Sequence, residues 1–361
     1  MAYSTTAITR TVLIEGALKK AGILAQGISA NANQLADGVN ALNLIMLNIN
    51  GADPVKWRIS GTPYGIKLDD SRSKGIFKLA PNVLWVESAS YCTVLANSLA
   101  NPTLTNGTSW SVSGDFSLAS NTHAAYTDAT HVGTLYQAAG SMTTPGVVDG
   151  WYLLWFYLYD VVGRPVLYVS GDTALTPVRI PMATGTFGVI FQWGLAANNF
   201  ILSVTSSIAG DAFKLDNIYL HKLYDVDSPI YPLTFPEFSS LSSKVGPGDP
   251  QYYTLDENED PPNMVVTPIP SVGSGAPTCI RYYPKVKMDL LDDAADQIIE
   301  VPQSYFRFFE YQLAADLAAE YGRPLDLQMH LYNVAKQALD AANSSKRTWN
   351  TAFIGANKPT T

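Results

Sequence analysis

The sequence predicts an α+β protein: N- and C-terminal helices packed into one helical core, a small antiparallel β-sheet, and an inserted β-sandwich of jelly-roll type. Three observations carry this. Residues near 6–50 and 302–343 show apolar spacings of three and four, the mark of amphipathic helices. Between them the period falls to two, in short runs parted by turn residues, as strands require. From about 97 to 222 the chain is poor in Lys and Arg and rich in Ser, Thr, Gly and aromatics, so this stretch reads as a domain of its own.

The first helix is expected over 6–21, with Ile14, Ala17, Leu18 and Ala21 on one stripe and Gly22 as its stop. The second, over 33–50, alternates Leu35, Val39, Leu42, Met46 and Ile49 by four and three, and ends before Gly51 and Pro54. The short polar link between them, Ser29 to Asn33, suits an antiparallel hairpin. At the other end, Pro302 stands where its missing N–H does no harm, in a first helical turn. The helix over 303–321 carries Phe306, Phe309, Leu313 and Leu317, then meets the stop Tyr321-Gly322-Arg323-Pro324. A last helix over 325–342 buries Leu327, Leu331, Val334 and Leu339. Ala314, Ala315, Ala318 and Ala319 leave faces without bulk, for close packing either within the chain or between subunits.

In the middle, 75–79 and 83–86 flank the turn Ala80-Pro81-Asn82. Trp151 to Tyr159 is apolar on both alternating sets, as in a strand buried on two faces. Phe187 to Trp193, Phe200 to Thr205 and Phe213 to Leu220 are further strands. After a Pro-rich, acidic stretch, strands at 252–255, 264–267 and 279–283 complete the small sheet begun near 76 and 85. The expected division is therefore a core of 1–90 plus 223–343, an inserted sandwich of 91–222, and an extended tail of 344–361. That tail is polar, with Lys346, Arg347 and the isolated anchors Trp349, Phe353 and Ile354, a composition ordered by a partner.

A chain of 361 residues with net charge −8 does not hold nucleic acid by neutralising phosphates, which takes a basic stripe. Cys92 and Cys279 are its two cysteines, too few for a disulfide scaffold and without metal-ligand spacing, so two buried free thiols are expected. The N-terminus lacks a basic region followed by an apolar core, and no apolar run is long enough to span a bilayer. A soluble protein made in a reducing cytoplasm is the expectation.

Several elements occur in a familiar order. Ala17-Leu18-Lys19-Lys20-Ala21-Gly22-Ile23, then Ala41-Leu42-Asn43 and Trp57, resemble the start of head-to-tail adaptor proteins of short-tailed phages. Gly248-Asp249-Pro250-Gln251-Tyr252-Tyr253, a Thr-Pro-Ile-Pro turn and a strand ending at Tyr283-Pro284 resemble the middle of such proteins. Val301-Pro302-Gln303-Ser304-Tyr305 and Leu313-Ala314-Ala315-Asp316-Leu317-Ala318, closing on Glu320-Tyr321-Gly322, resemble their C-terminal helices. The resemblance implies a structural virion protein, assembled in the host cytoplasm into a dodecameric ring below the portal protein. It would extend the DNA channel and offer a surface to a tail nozzle or fibre protein. The tail residues Lys346, Arg347, Trp349, Phe353 and Ile354 would contact the portal. Asp256, Glu257, Glu259, Asp260, Asp292 and Asp293 are candidates for a wall that repels passing double-stranded DNA, or for another exposed surface.

The insertion departs from the shorter adaptors. Its opening, Trp110-Ser111-Val112-Ser113-Gly114-Asp115-Phe116, and its closing strand, Phe213 to Leu220, resemble galactose-binding-like or carbohydrate-module sandwiches. Glycan contact needs exposed aromatics beside polar groups, with Trp110, Tyr126 and Trp151 as candidates and core packing as the competing role. The alternative function is thus a carbohydrate-binding or decorating module on a helical base.

No catalytic site is expected. His123, His131, His221 and His330 form no close ligand pair, and neither HExxH nor CxxC occurs. Asp292, Asp293 and Asp296 read as a solvated patch rather than an acid–base pair. Asp211 and Asp216 are either turn caps or oxygen ligands for calcium. Neither cofactor nor resident metal is implied.

Overall fold

The computed structural model describes residues 8–51, 62–68, 75–104, 109–119, 123–163, 165–171, 178–180, 182, 184–194, 199–205, 210–241, 246–270, 278–287, 301 and 303–354. Side chains are not described at 50–51, 179, 225–226 and 344–354. The protein is mostly β with helices, in two compact units: 1–58 with 288–361, and 59–287.

The first unit holds helices α1 (Arg10–Lys20) and α2 (Ala32–Gly51) from the N-terminal side. Thr9 caps α1, its hydroxyl accepting from the Val12 N–H, and Lys19 and Lys20 sit favourably at the negative end of the helix dipole. Asn31 and Gln34 bond reciprocally ahead of α2, each backbone N–H meeting the other's side-chain oxygen at 2.9–3.0 Å. The helices of the C-terminal side span Gln303–Glu320 and Leu325–Ile354. Gly22 and Gly322 take positive φ just past α1 and the 303–320 helix, a conformation that suits glycine. Ile14, Leu18, Leu42 and Met46 share one apolar cluster with Phe309, Leu313, Leu317 and Leu331. Ala314, Ala315 and Ala318 are buried in it, while Ala319 is exposed. Polar bonds tie distant segments within the unit: Lys20 with Glu310, Tyr321 hydroxyl to Asp37 at 2.6 Å, and Tyr305 hydroxyl to Asn343 at 2.7 Å. The last helix runs past 342 to Ile354 where an extended tail was expected. The reason is in the sequence: no Gly or Pro interrupts 325–354, and Gly355 is the first breaker.

The second unit is built on strands β1 (Tyr64–Leu68), β2 (Ile76–Lys78), β3 (Val83–Asn97), β4 (Ser111–Gly114), β5 (Phe116–Ala119), β6 (His123–Thr127), β7 (Val132–Gln137), β8 (Trp151–Val162), β9 (Val166–Ser170), β10 (Val178–Ile180), β11 (Gly185–Gln192), β12 (Phe200–Thr205), β13 (Ala212–Pro232), β14 (Tyr252–Asp256), β15 (Asn263–Thr267) and β16 (Thr278–Val286), with helix α3 (Phe235–Ser240) after β13. The order β10-β9-β12-β7-β4 makes one sheet. The other runs β2-β15-β14-β13-β3-β16-β1-β11-β8, with β5 and β6 attached beside β13. The small sheet expected apart from the sandwich is therefore continuous with it. The two were read as separate because the pairings that join them, β1 with β11 and β13 with both β3 and β8, link segments far apart in sequence.

Strand β8 also pairs with β13, so β13, β3, β16, β1, β11 and β8 close into a ring in which every neighbouring pair is antiparallel. Closure removes the sheet edges these strands would otherwise present. On β8 the alternating sets diverge at Leu153, although Trp155 of the same set joins the large core. Tyr152, Leu154, Phe156 and Leu158 enter the large core with Leu135, Leu167, Val169, Phe200, Leu202, Val204, Phe213 and Leu215 of the sandwich. Leu153 enters a second, small cluster inside the ring with Ile190, Cys92, Val94, Leu223 and Cys279. Gly65 and Gly188 make room for it: a Cβ on either would lie 2.4 or 2.8 Å from Leu153 Cδ1.

Cys92 and Cys279 are register partners on β3 and β16 and form a disulfide, Cα–Cα 5.3 Å, in place of the free thiols expected. Their separation of 187 residues hid a pairing that the strand register makes immediate.

His221 on β13 lies inside the same ring, buried, with Nδ1 2.9 Å from the Leu95 carbonyl and Nε2 without a hydrogen-bond partner. Burial pushes its ring from the usual 6.5 down to about 4. The unfolded chain therefore binds a proton that the folded chain refuses between these values, and stability falls as the pH drops through that window. Full development, below pH 4, is worth about 3 kcal/mol. Urea midpoints of the wild type and His221→Asn, compared from pH 7 to pH 4, should diverge, with the wild type losing more; parallel curves would refute the assignment.

Candidate functional site

Of the three aromatics proposed for glycan contact, the structure withdraws two. Trp110 is buried, edge-to-face with Phe200, and its indole N–H donates to the Asn101 carbonyl at 3.0 Å. Tyr126 is fully buried, stacked on Phe213, and its hydroxyl donates to Asp128 at 2.9 Å. Burial, then the neighbouring Asp128 carboxylate, raises the phenol well above its usual range. Both rings pack in the core because strands in a sandwich turn their large apolar side chains inward.

Trp151, at the start of β8, keeps 37% of its surface exposed. It sits in the alternating set that faces the ring interior, at the end where β16 brings Arg281 and Tyr283. The Arg281 guanidinium carbon lies 5.9 Å from the Trp151 ring centroid and 5.6 Å from that of Tyr283. Arg281 also donates through Nη2 to the Tyr283 hydroxyl at 3.1 Å and pairs through Nη1 with Asp227 at 2.9 Å. The Ser90 hydroxyl donates to the same Asp227 oxygen at 3.3 Å. Asp227 reaches this position because it is the register partner of Cys92, just after a shift in the β13–β3 pairing. Arg281 Nε and Asp227 Oδ1 have no hydrogen-bond partner and are buried. The set combines an open indole, a planar cation held by two rings, and a carboxylate. That is chemistry for contact with a hydroxylated, partly apolar ligand.

At the far end of the same β8 face stand aromatics the sequence reading passed over. Tyr157 and Tyr159 are stacked at 5.1 Å, His123 lies edge-on to Tyr159, and Lys67 sits 4.3 Å over the Tyr219 ring. Lys214 pairs with Asp160 at 2.8 Å. The signal for them was the double apolar alternation of β8 itself, which counts rings on both faces.

The acidic candidates are dispersed. Asp256 closes its own turn, Oδ1 accepting from Asn258 N and Nδ2 at 3.2 and 2.8 Å. Asp260 pairs with Lys287, while Glu257 and Glu259 are exposed on the β14–β15 turn. Asp292, Asp293 and Asp296 lie outside the described residues. The portal-contact candidates Lys346, Arg347, Trp349, Phe353 and Ile354 fall on the last turns of the 325–354 helix, where side chains are not described. Asp216 accepts from Asn217 N and Nδ2 at 2.6 and 3.1 Å, the capping role. Among the described residues no three His, Cys, Asp or Glu side chains gather as metal ligands, and no helix is long and apolar enough to cross a membrane.

The chain matches no protein-family model and no curated protein. Partial structural likeness exists to the enzymatically active domain of tailspike protein 4 of bacteriophage CBA120 (15% identity, 35% of this chain, 21% of that one, TM-score 0.24). It exists also to TmCBM61 in complex with beta-1,4-galactotriose (20% identity, 35% and 98%, TM-score 0.25) and to the CBM22-1 xylan-binding domain of Paenibacillus barcinonensis Xyn10C (12% identity, 37% and 97%, TM-score 0.25). The chain spans about a fifth of the tailspike domain. Scores at this level transfer neither ligand nor activity.

Removal of a buried ring and removal of a contact ring leave different signatures. Trp110→Ala should lower stability by about 3–5 kcal/mol in urea unfolding, whereas Trp151→Ala, at a ring that is 37% exposed, should cost clearly less. Equal losses would show that Trp151 is a packing residue.

Proposed function

We propose that the chain is a structural, non-enzymatic virion protein whose β unit contacts carbohydrate and whose helical unit serves as its mount. The observation that supports this is the exposed Trp151 ring beside Arg281 and Tyr283. Sugars present C–H faces that lie against aromatic rings, and hydroxyls that pair with planar donors and carboxylate acceptors. Nothing is asked of acid–base chemistry. Glycan-array screening followed by titration of the best ligand tests the reading: Trp151→Ala should weaken binding about tenfold or more, in line with loss of a central aromatic anchor. Failure of the wild type to bind any glycan at millimolar concentration would remove the reading.

A second reading, the head-to-tail adaptor, has its own support. Leu44 and Leu47 are 61% and 48% exposed and three residues apart on α2, an apolar face suited to packing between copies. Repeated around an axis such a contact closes a ring, with the portal below the capsid and a tail component as neighbours. Mixing the purified chain with portal particles should add a ring visible by electron microscopy, and Leu44→Glu with Leu47→Glu should abolish it. A wild-type chain that stays monomeric and leaves the portal bare would eliminate this reading.

A further inference from the structure

A cleft of about 400 Å³ opens where β13 passes into α3 beside the β14–β15 turn. It lies apart from the Trp151 site and is lined by none of that site's residues. Its walls include Trp85 and Phe235, 42% and 68% exposed, with Leu233 and Leu255. Large apolar side chains left this open are characteristic of contact surfaces. Asp256 and Glu257 form its polar edge, and among the described residues no Lys or Arg lines it; Lys285, the β16 neighbour of Trp85, is not among the lining residues.

The hydrogen-bond accounting narrows the occupant. Asn258 spends one of its two side-chain N–H bonds on Asp256, and the Thr234 hydroxyl donates to Glu237 at 2.7 Å within the α3 capping box. The polar edge thus keeps its acceptors, the carboxylate oxygens of Glu257 and the second oxygen of Asp256, while the Thr234 hydroxyl and one Asn258 N–H are engaged. A glycan hydroxyl both donates and accepts, whereas an ammonium or guanidinium group donates only and carries the opposite charge, so a carboxylate edge matches the cation more fully. Trp85 and Phe235 add ring faces that attract the same cations.

We propose that this cleft docks a partner protein's peptide segment in which Lys or Arg alternates with apolar side chains. The apolar residues seat between Trp85, Phe235 and Leu255, and the cation meets Glu257 and Asp256. Charge complementarity also speeds the encounter and makes it salt-sensitive.

The test uses the full chain and a fluorescein-labelled acetyl-Leu-Lys-Leu-Arg-Leu-Lys peptide, read by fluorescence anisotropy. Saturable binding is expected, absent for the same peptide with Glu at the basic positions, and weakened by added salt. Glu257→Lys and Trp85→Ala should each weaken it about tenfold. Glu257 is exposed, so its variant keeps the test decisive if Trp85→Ala does not fold. The proposal is overturned if the acidic peptide binds equally, if both variants bind like the wild type, if no saturation appears, or if cellohexaose displaces the peptide at equal concentration. The Trp151→Ala variant should bind the peptide normally, which separates this site from the glycan reading.

Discussion

The β unit depends on one strand being buried twice. β8 turns Leu154 and Phe156 toward the sandwich and Leu153 toward the ring interior, so both its faces leave water. A strand apolar on alternate sets only would satisfy one core and expose the other face. Because the second face needs a cover, β1, β16 and β3 must close over it, and they can do so only if their backbones come near enough. Gly65 and Gly188 supply that approach, since any side chain there would meet Leu153. The closed ring, the disulfide inside it and the placement of Arg281 near Trp151 all follow from that closure.

The interior of the ring is small, and its chemistry changes along its length. Its middle is apolar, with Leu153, Ile190, Val94 and Leu223 around the Cys92–Cys279 bridge. Toward one end, Arg281, Asp227 and Tyr283 hold one another in a fixed arrangement beside an open indole. Toward the other, His221 is kept neutral by burial and lies parallel to Tyr219. Charged groups near an apolar middle must be paired or uncharged, and each of these groups meets that demand in one of the two ways. The sidedness of the unit, with an ion pair beside an open indole at one end and a neutral buried imidazole at the other, comes from that distribution.

Legibility followed the range of the interactions. The helices were readable because their caps, stops and stripes are local: Leu35 to Ile49 states its own periodicity, and Gly22 and Gly322 end their helices by backbone conformation. The double burial of β8 was readable from Trp151 to Tyr159. What lay against its second face was not, since Ile190, Cys92 and Cys279 arrive from three separate segments. The same limit hid the disulfide. For single residues the sequence could name aromatics but not their direction, and Trp110 and Tyr126 turned inward while Trp151 stayed open. The end of the last helix was a different failure: the polar residues from Ser344 onward looked like a tail, although nothing in them before Gly355 breaks a helix.

Strand β13 runs from Ala212 to Pro232 without leaving the sheet, pairing first with β6 and β8 and then with β3. Its first half pairs with β6 of the sandwich and also with β8 to close the ring, its second half pairs with β3, and no linker separates them. The sandwich is therefore not a detachable module. A cut at either border would remove β8 and β11 from the ring and strand Leu153 and Ile190 without a core, so recombination that swaps such domains between proteins has no seam to use here. Change in this region has to proceed by substitution at the surface, or by exchange of residues 59–287 as a whole.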